Sequence, residues 1–92
     1  MNRDKQFVID SIKMDLYRVI TAAGDINKNL AKKSVKEFLE HADKDFDKIK
    51  LTQHEKKLRL QLSNLAQKLN ELEDPHVRLR WTEDIMTTRC RL

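Results

Sequence analysis

The sequence predicts an all-α protein: an antiparallel helical bundle of three long helices and a shorter C-terminal helix. Three observations carry that prediction. Leu58, Leu62, Leu65, Leu69 and Leu72 recur with alternating steps of four and three, a heptad seam along one helix face. The chain has only 1 Gly and 1 Pro in 92 residues, so few turns are marked and the elements between them must be long. Leu, Lys, Glu, Gln, Ala and Arg dominate, and only Val77 to Trp81 alternates in the manner of a strand. A chain of this length forms one domain, residues 1–92, and buries roughly 60–70% of its unfolded surface.

The first helix is expected over roughly residues 4–23. Asn2 or Asp4 can cap it. Ile9, Ile12, Leu16, Val19, Ile20 and Ala23 make one face, and Phe7, Val8, Met14 and Tyr17 widen it. Gly24 is the expected stop, in the left-handed conformation that glycine adopts without steric cost.

The second helix is expected over roughly residues 26–49, capped by Asp25. Its face comprises Ile26, Leu30, Ala31, Val35, Phe38, Leu39, Ala42, Phe46 and Ile49. Lys48 and Lys50 suit the negative end of its dipole. A link of about two or three residues then folds the third helix back antiparallel. One bent helix continuing through the link is the alternative. The third helix spans roughly residues 52–73, opened by a capping box, Thr52 with Glu55, and stopped by Pro75. The fourth spans roughly residues 75–88, with Asp74 as cap and Pro75 in the first position. Thr87 to Leu92 lack a pattern and are expected to fray.

Composition narrows the function. A lone cysteine, Cys90, allows no internal disulfide and fits a reducing compartment. No apolar run approaches the ~20 residues of a membrane span. Asp4 and Asp10 fall where a signal peptide needs basic and apolar regions, so the chain reads as cytoplasmic. The net charge of +4 favours acidic partners, but the 15 acidic residues are interspersed with the 19 basic ones, which weakens a nucleic-acid reading.

Little suggests chemistry. Glu37, His41 and Asp45 stand at i, i+4 and i+8, share a helix face and are all metal-ligating types. They read as a solvated stripe beside Lys44 and Lys48, because helical carboxylate metal sites use Glu-x-x-His on each of two helices, and His41, His54 and His76 do not supply two such pairs. Ser11, Ser34, Ser63 and Cys90 have no nucleophile context, and one glycine cannot form a phosphate loop. The expectation is a non-enzymatic protein without cofactor or metal.

What remains is binding. Leu60 lies off the leucine seam, and Arg78, Leu79, Arg80 and Trp81 offer the residue types that dominate interface hot spots. These five are the expected partner-binding residues of an adaptor, regulator or assembly subunit, with Trp81 equally suited to the core. The first helix is apolar around more than half its circumference, which points to a homodimer or a tight heteromeric partner. The alternative is nucleic-acid binding through Lys28, Lys32, Lys33 and Lys36 on one face of the second helix.

Overall fold

The computed structural model describes residues 2–25 and 27–92, and is a helical bundle: α1 Asn2–Gly24, α2 Lys32–Phe46, α3 Gln53–Gln67, a single 3-10 turn over Leu69–Glu71, and α4 Pro75–Arg91. Hydrogen bonds between helices fix the directions. Ser11 meets Asp45 while Asp15 meets His41, so α1 and α2 are antiparallel. Leu65 meets Trp81 while His54 meets Arg91, so α3 and α4 are antiparallel. Ala23 meets Arg78 while Lys13 meets Arg89, which closes α4 antiparallel against α1. The result is an up-down-up-down bundle 42 × 20 × 18 Å across.

The apolar patterning builds the core as the periodicity requires. Ile9, Ile12, Leu16, Val19 and Ala23 of α1 meet Val35, Leu39, Ala42 and Phe46 of α2. All five leucines of the heptad seam are buried, and Trp81 and Ile85 close the core from α4. Each fully buried side chain of this size contributes about 1.5–3 kcal/mol of transfer free energy.

The helix ends depart from the sequence expectations, each for a visible reason. Ile26, expected in the second helix, lies outside the described residues. Asp25 does not cap α2: its carboxylate accepts from Asn27 N (3.1 Å), and α2 begins at Lys32 after a loop, with no side-chain cap at Ala31. Arg78 organises this loop. Its Nε donates to Ala23 O (2.9 Å), and its terminal nitrogens donate to Lys28 O (2.8 Å), Asp25 O (2.8 Å) and Ala22 O (3.5 Å). The guanidinium therefore caps the negative end of α1 and ties down the chain reversal. Gly24 ends α1, but no described residue, Gly24 included, has a positive φ, so its expected left-handed conformation is not adopted.

α2 ends at Phe46, earlier than expected, and Lys48 and Lys50 fall beyond it. Tight turn bonds follow, from Asp47 N to Lys44 O (3.1 Å) and from Lys48 N to Asp45 O (3.0 Å). The second and third helices are thus separate. The capping box of α3 forms fully: Thr52 Oγ1 accepts from Glu55 N (3.2 Å) and Glu55 Oε1 accepts from Thr52 N (2.8 Å).

α3 stops at Gln67, not near Glu73. Leu65 O, which a longer α-helix would pair with Leu69 N, accepts from Lys68 N (3.1 Å) and from Trp81 Nε1 (2.7 Å). The tighter 3-10 turn that follows still carries Leu69 and Leu72 inward. α4 starts as expected, with Asp74 Oδ1 accepting from His76 N (2.8 Å) and Pro75 in the first turn. It runs to Arg91, so it is longer than α2 and α3, and Thr87 to Arg91 do not fray. Thr88 is buried, Arg89 Nε donates to Lys13 O (3.0 Å), and His54 Nε2 donates to Arg91 O (3.2 Å). Long-range partners replace the missing apolar pattern.

Candidate functional site

The expected partner-binding residues divide. Leu60 (62% exposed), Leu79 and Arg80 lie on the surface. Arg78 (6%) and Trp81 (3%) do not. Arg78 is spent on the carbonyls at the end of α1, and Trp81 on the end of α3, so neither is available to a partner. Their buried polar atoms are satisfied within the chain, which is the condition for placing such groups in a core. Leu60 lies on the outer face of α3.

The lysine row is also broken. Lys28 sits in the loop before α2, where its carbonyl accepts from Arg78, and so leaves the face shared by Lys32, Lys33 and Lys36. Lys36 faces Glu40 at 3.9 Å.

The exposed apolar surface has a different centre. Phe7 (76% exposed), Met14 and Tyr17 lie on the outer side of α1, Phe7 and Met14 two turns apart. On α4, Leu79 and Met86 are exposed and seven residues apart, on the flank beside Arg78, Thr82 and Arg89, the residues that meet α1. Arg89 stacks over the Tyr17 ring at 5.8 Å, linking the two flanks. Large apolar side chains therefore stand exposed on the outside of α1 and on one flank of α4.

A second constellation joins α1 to α2. Asp15 and Asp45 have side chains only 3% exposed, and both face His41, which is 58% exposed. His41 Nδ1 hydrogen-bonds to Asp15 Oδ2 and lies 3.6 Å from Asp45 Oδ2. The remaining oxygens are taken: Arg18 Nη1 donates to Asp15 Oδ1 (3.0 Å) and Lys48 Nζ to Asp45 Oδ1 (2.8 Å). Ser11 Oγ donates to Asp45 Oδ2 (3.0 Å). Burial alone would push the Asp45 carboxyl up; hydrogen bonds from Lys48 and Ser11, with the nearby His41 and Lys48 charges, outweigh it and hold the group below the ordinary carboxylate value.

Of the Glu37, His41 and Asp45 stripe, Glu37 is exposed and takes no part in this cluster; Asp15 replaces it, from another helix. Asp15 escaped the sequence reading because its partners lie on α2. A signal was present: Ser11 and Asp15, four apart, interrupt the apolar face of the first helix beside Ile12 and Leu16.

Set against known proteins, the chain matches no family model, no curated protein and no solved structure. Its own geometry is therefore the guide to function.

Proposed function

We propose that the chain is a non-enzymatic helical protein-interaction module, an adaptor, regulator or assembly subunit, that engages its partner through the exposed apolar residues of α1 and α4. One observation carries the reading. Phe7, Met14, Tyr17, Leu79 and Met86 stand exposed on two packed helices, although α1 has its inner face fully used in the core. Scattered exposed apolar residues are ordinary, but several large ones on one helix pair match a surface that another protein covers. A second copy of the chain would satisfy it with two-fold symmetry, the commonest arrangement of soluble oligomers. Rigid helices present these side chains at little entropic cost. No helix among the described residues is long and apolar enough to cross a membrane, and the lone cysteine suits a reducing, cytoplasmic setting.

Sedimentation equilibrium over a wide concentration range, with cross-linking and mass spectrometry in cells, tests the reading. The expected result is self-association, or a cross-linked partner, with contacts mapping to the outer face of α1 and the Leu79–Met86 flank. Phe7→Ser with Met14→Ser should abolish it and leave the helical circular dichroism unchanged. A protein that stays monomeric, with cross-links only outside α1 and α4, refutes it.

A further inference from the structure

We infer that Asp15, His41 and Asp45 form a binding site for a divalent metal ion of the zinc class, held between α1 and α2. The donor atoms, one from each residue, lie within 4.8 Å of one another. Tetrahedral coordination with bonds of ~2.0–2.2 Å separates ligand atoms by roughly 3.3–3.6 Å, so closure around an ion needs side-chain shifts of about 1 Å.

The arrangement does more than an ion pair requires. Nδ1 of one imidazole carries at most one proton, yet two almost fully buried carboxylate oxygens converge on it. The opposite oxygen of each carboxylate is occupied by Arg18 or Lys48, so each aspartate offers a single oxygen inward. Ser11 Oγ donates to the inward oxygen of Asp45, Oδ2 (3.0 Å), and orients it. Such outer partners hold metal-ligating carboxylates in place and fix their direction. The charges also fit: two carboxylates and a neutral imidazole match a dication, with Arg18 and Lys48 balancing the periphery. His41 is half-exposed, so the cluster opens to solvent on the imidazole side.

The donor set selects the ion. Calcium and magnesium favour all-oxygen shells, whereas one imidazole nitrogen with two carboxylate oxygens suits zinc and its first-row neighbours. The ion would clamp the middle of α1 to the middle of α2. It would stabilise the folded chain because the three ligands converge only when the two helices are packed.

Calorimetric titration of the full chain with Zn²⁺, alongside thermal unfolding with and without Zn²⁺, tests the site. The expected result is a single ion per chain, a raised Tm, and binding weakened roughly tenfold or more in His41→Gln and in Asp45→Asn. His54→Gln and Cys90→Ser should bind as the wild type does. His41 is on the surface, so His41→Gln should fold, and circular dichroism checks that it does. If the variants unfold, ¹⁵N spectra of the wild-type histidines decide: a Zn²⁺-dependent shift of the His41 Nδ1 signal supports the site. No Zn²⁺ binding by the wild type, unchanged binding in a folded His41→Gln, or loss of binding in His54→Gln or Cys90→Ser overturns it.

Discussion

Replacing Arg78 by methionine keeps the side-chain stem and deletes the guanidinium, which isolates its role as the cap of α1. In the native fold three bonds of 2.8–2.9 Å and one of 3.5 Å leave this group for the carbonyls of Ala22, Ala23, Asp25 and Lys28. Hydrogen bonds from a charged donor contribute about 1.5–3 kcal/mol each, though not additively. Two corrections lower the sum. Asp25 and Lys28 are exposed residues, so water can replace part of what Arg78 supplies there. Removing a buried cation also removes its own desolvation cost. Ala23 is fully buried, and its carbonyl has no such substitute. The net loss is about 2–4 kcal/mol, a fall in Tm of roughly 10–25 °C for a domain of this size. Urea and thermal unfolding followed by circular dichroism measure it. Arg78→Lys should recover about half, because an ammonium is a point donor and cannot span the same fork of carbonyls. A loss below about half a kcal/mol for Arg78→Met, within the range of ordinary surface changes, refutes the capping argument. So does Arg78→Lys with full native stability.

Three further outcomes follow from the same geometry. Trp81→Phe keeps an aromatic side chain but removes the donor to Leu65 O and part of the buried indole volume, so it should cost about 1–3 kcal/mol in denaturant unfolding. Gly24→Ala should raise stability by about 0.4–1 kcal/mol, since Gly24 has no positive φ and, among the described residues, an added Cβ would meet Thr82 Cγ2 at an ordinary 4.0 Å; a lower Tm would contradict this. Burial raises the Glu55 carboxyl, but hydrogen bonds from Lys5 Nζ (2.8 Å) and from the backbone and hydroxyl of Thr52 outweigh it and hold the group below its ordinary value of 4.5. A group depressed on folding adds stability above its unfolded pKa and loses it as the pH falls through the folded one, so the contribution should fade below about pH 4.5. Glu55→Gln should flatten that part of the acid-unfolding profile, and an unchanged profile would count against it.

How far the sequence reaches is clearest where local and long-range forces part. The heptad leucines, the Thr52–Glu55 box and the Asp74–Pro75 start are set by residues within a few positions of one another, and all three stand in the structure. The end of α3 is set otherwise. The pattern Leu65, Leu69, Leu72 gives the correct buried face, but the indole of Trp81 takes the Leu65 carbonyl and the helix tightens into a 3-10 turn. The start of α2 and the stop of α1 similarly depend on Arg78, more than fifty positions away from the carbonyls of Ala22, Ala23 and Asp25. Local spacing cannot reveal a donor that arrives from another helix.

The same distinction separates the candidate sites. The exposed row on α1 was legible as a face too wide for one core, because Phe7, Met14 and Tyr17 lie outside the Ile9–Ala23 stripe by spacing alone. Arg78 was not legible as core, since composition marks it for an interface and only the bundle shows what occupies it, whereas Trp81 suited core and interface equally and the bundle places it in the core. Asp15 and His41 make the strongest case. Twenty-six positions apart, they meet because α1 and α2 are antiparallel and closely packed, with Ser11–Asp45 and Asp15–His41 as successive rungs. A buried carboxylate is costly unless paired, so a polar residue inside the apolar face of a long helix implies a partner on the helix beside it. Ser11 and Asp15 carried that implication before any geometry was known. Only the packing of the two helices could name His41 and Asp45 as the partners.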